Sequence, residues 1–383
     1  MMNTQGKAIG MYIHIPFCQR KCHYCDFPSY AGMENYWEAY TEAVVKELTL
    51  KAEDFSQATI KTLFIGGGTP SLLPYRLIER ILETVHSKYR VIPHGEATIE
   101  ANPGTLTPDK LKTYRKLGLN RISLGLQAAQ EDLLKKLGRI HSYEDFLHAV
   151  DLAHQNGFQN INADLIFGIP GQSLEDWRMT LERVTALDLT HLSCYSLKIE
   201  EDTLFGDLKN QGRLEEVEEE LDREMYHMAI DYLAERGFAQ YELSNFAKPH
   251  YSCQHNINYW ECGEYMGIGA GAHSFARNRR FANTPDVAAY IGGIKTGEPL
   301  LSEDITLDME DRISERMILG LRMNRGVDLE VLSLELNVDL EMKYAEKIEK
   351  LLAWKLVEHC GTVLKLTKRG MDLANSVFIE FID

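Results

Sequence analysis

The feature that most constrains this 383-residue chain is a regular beat through its first half, where short apolar runs alternate with amphipathic stretches. Candidate strands are Met11–Ile15, Thr62–Ile65, Ala97–Glu100, Arg121–Leu126, Asn160–Ile166 and His191–Ser196. Helical patterns lie between them at about 36–53, 74–89, 107–117, 142–156 and 173–187. Such alternation predicts an α/β fold, a parallel sheet covered by helices. Six units in about 200 residues suit a partial (β/α)6 barrel better than an open Rossmann sheet, and periodicity alone does not separate the two.

Beyond the sixth strand a helix is expected at roughly 214–236, followed by an irregular Gly-, Asn- and aromatic-rich region from Tyr241 to about Ala282. From Asp308 the pattern changes. Helical segments precede Leu356–His359 and Val363–Thr367, a hairpin-like pair around Gly361, which together read as a winged-helix-like module. The expected division is a barrel over 1–240, a connecting region over 241–300 and the helical module over 301–383.

Charge narrows the partners. The net charge of −16 argues against nucleic acid, because phosphate binding needs clustered Lys and Arg. The terminal module has 11 Lys and Arg against 15 Asp and Glu from Asp308 onward, so it reads as structural or protein-facing rather than a DNA-reading wing. The acidic run Glu215–Glu220 reads as a solvated helix face. Met1–Gly10 lacks the apolar core of a signal peptide, and no run of about 18 apolar residues could span a bilayer. A cytoplasmic protein is expected, in which clustered cysteines serve as ligands or catalysts rather than disulfides.

Three of the seven cysteines form Cys18-x-x-x-Cys22-x-x-Cys25, directly after the first strand, at the end of a barrel where active sites sit. Thiolates so close together can cap one face of a cluster. Soft ligands select iron–sulfur, zinc or Cu(I). Structural zinc wants four protein ligands; no second pair lies at zinc spacing, although His14 and His23 keep that alternative open. A cubane normally takes four cysteines, so three leave one iron exchangeable. Cys253 and Cys262 flank another unusual segment, and Cys194 and Cys360 stand alone as expected core thiols.

The triad, with Tyr24 just before its third cysteine, resembles the radical S-adenosylmethionine superfamily. The resemblance implies a [4Fe–4S] cluster on Cys18, Cys22 and Cys25, with S-adenosylmethionine chelating the open iron and cleaved by one electron to a 5′-deoxyadenosyl radical. Further features fall at later strand ends: Gly66-Gly67-Gly68-Thr69-Pro70, Glu100, Gln127, Arg139 in Leu137-Gly138-Arg139, and Asp164 in Asn162–Pro170. The glycine run is no P-loop, lacking Gly-Lys-Ser/Thr, but glycines admit close backbone approach to a ligand. Together these positions resemble the oxygen-independent coproporphyrinogen dehydrogenase group from about Gly10 to the C-terminus. That resemblance implies S-adenosylmethionine contacts at Tyr12, Tyr24, Gly67, Gly68, Thr69, Glu100, Gln127, Arg139 and Asp164, with Glu100 a ribose partner.

The group holds both enzymes and haem carriers, and the sequence departs from the enzymes in three places. Phe27 stands where they have a fourth cysteine. Fewer than a dozen residues precede the first strand, where they carry an extra segment. Third, His255-Asn256-Ile257-Asn258-Tyr259-Trp260 resembles the HNxxYW motif of the HemW family of haem chaperones. Imidazole is a good haem-iron ligand and flat aromatics suit a macrocycle, while Cys253 and Cys262 offer alternative thiolate ligation. The bland alternative is a turn with packed aromatics and a hydrogen-bonded His255. Gly267-x-Gly269-x-Gly271-Ala272-His273 lacks the strand–helix context of a dinucleotide fingerprint, and His273 is a second-choice haem ligand.

The leading expectation is a haem chaperone that delivers haem to apo-haem proteins, respiratory ones being the family expectation, with a homodimer and a peripheral membrane location left open. The alternative is the coproporphyrinogen III dehydrogenase, whose second S-adenosylmethionine is contacted at positions matching Gln127, Arg139 and Asp164. A radical enzyme acting on RNA has no support, since there is no second cysteine triad and no basic face.

Overall fold

The computed structural model describes residues 6–298 and 300–382. All six predicted strands form, the first five somewhat longer than periodicity marks and the sixth with the predicted bounds: β1 (Ala8–Ile15), β2 (Thr59–Gly67), β3 (Arg90–Ala101), β4 (Arg121–Gln127), β5 (Asn160–Phe167) and β6 (His191–Ser196). Between them run α1 (Trp37–Lys51), α2 (Tyr75–Lys88), α3 (Pro108–Lys116), α4 (Glu131–Lys136), α5 (Tyr143–Gln155) and α6 (Leu174–Thr185). The strands are parallel neighbours in sequence order. A doubly wound sheet reverses its order at a switch point; this one does not, and the partial-barrel expectation holds.

Local sequence explains where the helices begin. Ser142 and Ser173 each accept from the backbone three residues on, and Asp145 and Asp176 bond back to complete capping boxes. Thr107 caps the start of α3, with Pro108 next in the first turn. These side chains satisfy N–H groups that a helix start leaves without partners. Side chains alternate across each strand. On β1, Ile9, Met11, Ile13 and Ile15 are fully buried in the main core, leaving Tyr12 and His14 to the opposite, concave face. Each such aliphatic burial is worth roughly 1.5–3 kcal/mol.

The chain continues through α7 (Leu204–Asn210) and α8 (Glu219–Ala234). The acidic run is a helix start rather than a helix face: residues 215–218 precede α8, and Glu219, Glu220 and Asp222 occupy its first turn. There the partial positive charge of the helix end favours carboxylates, whereas the same charges stacked along one face would repel.

Residues 241–282, expected to be irregular, are instead mostly regular. They hold the second half of β7 (Ala239–Glu242), then β8 (Asn245–Ala247), α9 (Gln254–Trp260), β9 (Tyr265–Ile268), β10 (His273–Ala276) and nearly all of β11 (Arg279–Asn283). After α10 (Val287–Thr296), β12 (Leu301–Thr306) completes one twelve-stranded sheet of order β12-β11-β10-β9-β1-β2-β3-β4-β5-β6-β8-β7. β9 lies parallel to β1 and closes off its free edge. Periodicity misses these strands because they are short and joined by tight turns with positive φ at Cys262 (53°), Gly269 (103°), Gly271 (72°), Arg277 (55°) and Asn278 (60°). The Gly267–Gly271 turn is anchored from α1. The buried Glu47 carboxylate accepts from Gly269 N–H at 2.8 Å, Asn283 Nδ2 at 2.8 Å and Tyr290 Oη at 2.6 Å, and pairs with Lys51 at 2.7 Å.

The last segment packs about its own cluster, including Ile313, Met317, Leu332, Leu351 and Phe381. It opens with α11 (Met309–Leu321), and the expected hairpin forms from Val357–Cys360 and Val363–Leu366 about Gly361, with Val327–Asp328 as a third strand. Cys194 is buried as expected; Cys360 is not a core thiol, because the outer residues of that hairpin face solvent. No described helix is long and apolar enough to cross a membrane.

Candidate functional site

The C-terminal ends of β1–β6 surround a cavity of about 430 Å³. The loop after β1 brings Cys18, Cys22 and Cys25 to its wall. That loop is pinned at several points. Residues 17–18 pair with 30–31 as a short parallel ladder, Lys21 Nζ donates to Ser29 O (3.2 Å) and Ser29 Oγ (3.1 Å), and His23 N–H donates to Leu137 O (3.0 Å).

Each thiol meets a polar partner. Thr69 Oγ1 donates to Cys18 Sγ at 3.7 Å, Ser29 Oγ lies 3.9 Å from Cys25 Sγ, and Arg139 Nη1 donates to Cys22 Sγ at 3.3 Å. Burial holds the thiols of Cys18 and Cys25 above their ordinary pKa, so a metal must displace protons to bind there. Arg139 Nη2 donates to Asn102 Oδ1 (2.6 Å) and Gly125 O (2.7 Å), and Asn102 Nδ2 donates to Thr69 Oγ1 (2.9 Å). A buried cation, a bridging amide and a hydroxyl thus join two of the three sulfurs in one network.

The zinc alternative loses His14, both of whose ring nitrogens are engaged, and keeps only the Nε2 of His23. His14 Nε2 lies 2.9 Å from Pro28 O and its Nδ1 3.0 Å from Tyr12 Oη, while His23 Nδ1 lies 2.8 Å from Lys136 O. Among the described residues no group of three or more His, Cys, Asp or Glu side chains could hold a single metal ion. Thiols spread along one wall beside open volume, backed by a guanidinium, fit a larger thiolate-bound cluster with one face left free.

The glycine run forms the adjacent wall. Gly67 has φ of 113°, and a Cβ there would lie 2.4 Å from the His14 ring; a Cβ on Gly68 would lie 2.7 Å from Phe17 O. No side chain fits at either position, so bare backbone lines the cavity. Gly67 N–H donates to Glu100 Oε2 at 2.9 Å. Burial, with the nearby Asp164 charge, pushes the Glu100 carboxyl up to about 7 against the opposing pull of that N–H. Asp164 accepts from Ser123 Oγ (2.9 Å) and Asn162 Nδ2 (2.8 Å), and Asn162 Oδ1 lies 2.6 Å from His191 Nδ1. Gln127 sits at φ of 74° where the β4–β5 register shifts. Such a conformation is costly for a non-glycine residue and gathers at functional sites.

The cavity therefore brings together Cys18, Cys22, Cys25, Tyr24, Gly67, Gly68, Thr69, Glu100, Gln127, Arg139 and Asp164. Two other sequence candidates lie elsewhere. Tyr12 lines a neighbouring cavity. His255 is 1% exposed, with Nδ1 2.8 Å from Thr62 Oγ1, Nε2 2.9 Å from Tyr259 Oη and its ring stacked on Phe64. Glu96 accepts from the Gln254 and His255 N–H groups, both at 2.9 Å, seating α9 against the concave face of the sheet. Sequence reasoning missed Asn102, Ser123 and Lys21; Asn102, a polar residue just past β3, carried the strand-end signal that marked Glu100.

The radical SAM superfamily pattern matches residues 12–184, and the HemN C-terminal domain pattern matches residues 307–373. The chain is 36% identical over 376 residues to "Heme chaperone HemW" of Lactococcus lactis, covering 98% of each chain. The chain belongs to the HemW family. The Bacillus subtilis HemW is 35% identical over 97% of this chain and 98% of its own length, and the Escherichia coli HemW is 41% identical over 69% of each. Among solved structures, the coproporphyrinogen III oxidase HemN of Escherichia coli superposes with a TM-score of 0.86 at 23% identity, covering 98% of this chain and 90% of that one. At that identity the likeness speaks for the shared radical-SAM fold and no further. Within that fold Phe27 is 64% exposed at the cavity edge.

Proposed function

We propose that this protein is a haem chaperone, binding haem and handing it to apo-haem proteins, with a [4Fe–4S] cluster on Cys18, Cys22 and Cys25. S-adenosylmethionine would occupy the remaining cavity against Tyr24, Gly67, Gly68, Thr69, Glu100, Gln127, Arg139 and Asp164, and Tyr12, on the wall of the neighbouring cavity, would complete the contact set. When bound, cluster and cosubstrate supply one-electron chemistry at a sulfonium. The chain's own part is to hold three thiolates, balance their charge with Arg139, and offer carbonyls of the bare glycine backbone to an ammonium and a carboxyl at Glu100 to a ribose. Haem belongs to the His255–Trp260 segment. Of the expected division into a barrel (1–240), a connecting region (241–300) and a terminal module (301–383), the connecting region would act with the barrel, whose sheet and core it extends, and the terminal module would act as the second unit.

The observation that carries this reading is the near full-length identity to HemW relatives. Phe27 in place of a fourth thiol agrees with it. We place the protein in the cytoplasm or at a membrane surface, with respiratory apo-proteins and a second copy of the chain as partners.

Anaerobically reconstituted protein should show a cubane spectrum that changes with S-adenosylmethionine, take up haemin one-to-one, and lose it to an apo-cytochrome. Robust conversion of coproporphyrinogen III to protoporphyrinogen IX under reducing conditions would instead establish the dehydrogenase.

A further inference from the structure

A second cavity of about 440 Å³ lies beside the first, walled by Tyr12, Phe27, Tyr259, Trp260 and Phe275, with His273 also on its lining. Phe27 lines both cavities, so the residue that ends the cysteine loop is their shared wall. Flat aromatic walls around one accessible nitrogen ligand suit a planar apolar macrocycle bearing a metal. Its volume falls within the range of small-molecule sites, roughly 300–1,000 Å³.

The histidines nearby differ in what their nitrogens can do. Both nitrogens of His14 and both of His255 lie within hydrogen-bond distance of neighbours inside the fold. His273 is exposed, and among the described residues its side chain has no hydrogen bond or ion pair. Its placement is also fixed in advance. Gly269 N–H is held by Glu47 (2.8 Å) and Ala270 N–H by Tyr40 Oη (2.9 Å), and His273 opens β10 opposite Ala282. The left-handed Gly269 and Gly271 let that turn press onto α1, where a Cβ on Gly269 would sit 2.5 Å from Tyr40 Oη. The glycine run that resembled a nucleotide loop is thereby explained as a rigid arm ending in an unpartnered imidazole.

We propose that haem binds in this second cavity with His273 as axial ligand to its iron, and that His255 is a positioning residue whose imidazole holds Tyr259 as a wall of the site. This rests on the haem-binding reading above and replaces the expectation that His255 itself ligates. Imidazole nitrogens are established haem-iron ligands, and ligation through His255 would first require breaking two buried hydrogen bonds.

The test is haemin titration of the full-length protein, followed by the Soret band and by the electron paramagnetic resonance of the iron. His273→Ala should weaken binding roughly 10–100-fold and abolish the imidazole-ligated iron signature, and free imidazole should restore that signature. His255→Gln should keep the signature while loosening binding. Wild-type affinity and signature in His273→Ala would overturn this inference alone, as would loss of the signature in His255→Gln with circular dichroism unchanged. Failure of the wild-type protein to bind haemin would overturn the haem reading itself, and this inference with it.

Discussion

The Nδ1 of His255 lies 2.8 Å from Thr62 Oγ1 on β2, and the other ring nitrogen 2.9 Å from Tyr259 Oη, so the imidazole is built into the junction of α9 with the sheet. Burial, with the Arg121 charge nearby, lowers its pKa to about 3 from 6.5. A neutral imidazole is what this junction holds.

Acid sensitivity follows. A depressed histidine contributes stability that is complete above the unfolded value of 6.5 and lost as pH falls toward about 3. Urea unfolding of wild type and His255→Gln across that window should show the wild type losing roughly 2–5 kcal/mol more than the variant. Parallel pH profiles for the two proteins would refute the assignment.

Glu100 works in the opposite sense. Its carboxyl is raised from 4.5 to about 7, so the folded state bears a cost that is absent below pH 4.5, grows as pH rises through this window and is constant above it. Glu100→Gln keeps an acceptor for Gly67 N–H and removes the charge. The variant should match wild type at low pH and exceed its stability by roughly 1–3 kcal/mol at about pH 8. An offset that does not change with pH would count against a buried titrating carboxyl.

Arg139 should tune the cluster site through Cys22. Its Nη1 sits 3.3 Å from Cys22 Sγ while Nη2 is held by Asn102 and Gly125. Replacing a group that orients a metal ligand typically costs 10–100-fold in metal affinity or activity. Arg139→Ala, reconstituted with iron and sulfide, should release iron to a chelator roughly that much faster, and release at the wild-type rate would show the contact to be idle.

Gly67 tolerates no side chain. At φ of 113°, with His14 ring atoms 2.4 Å from a would-be Cβ, Gly67→Ala should lose roughly 2–5 kcal/mol in thermal or urea unfolding. Gly104→Ala is the control, because its φ of 85° is also strained but nothing lies within 4 Å. Equal losses at both sites would mean that crowding against His14 adds nothing.

The amino-acid order alone determined the six parallel strands, five of the six helices between them (the short α4 went unread) and the thiol triad after the first strand. Those depend on local periodicity and on neighbours in the chain, and Ser142, Ser173 and Thr107 fix helix starts with side chains three residues from their targets. Strand-end polar residues such as Glu100 and Asp164 were legible for the same reason, since a parallel sheet delivers every strand end to one rim. Tertiary structure decided what contacts across long separations could decide. His255 meets Thr62 from 193 positions away and Glu47 holds Gly269 from 222 positions away, pairings that no sequence period records. Only folding showed that the motif histidine is buried and bonded while His273 is exposed with no side-chain hydrogen bond among the described residues, because exposure depends on what the rest of the chain packs against each ring.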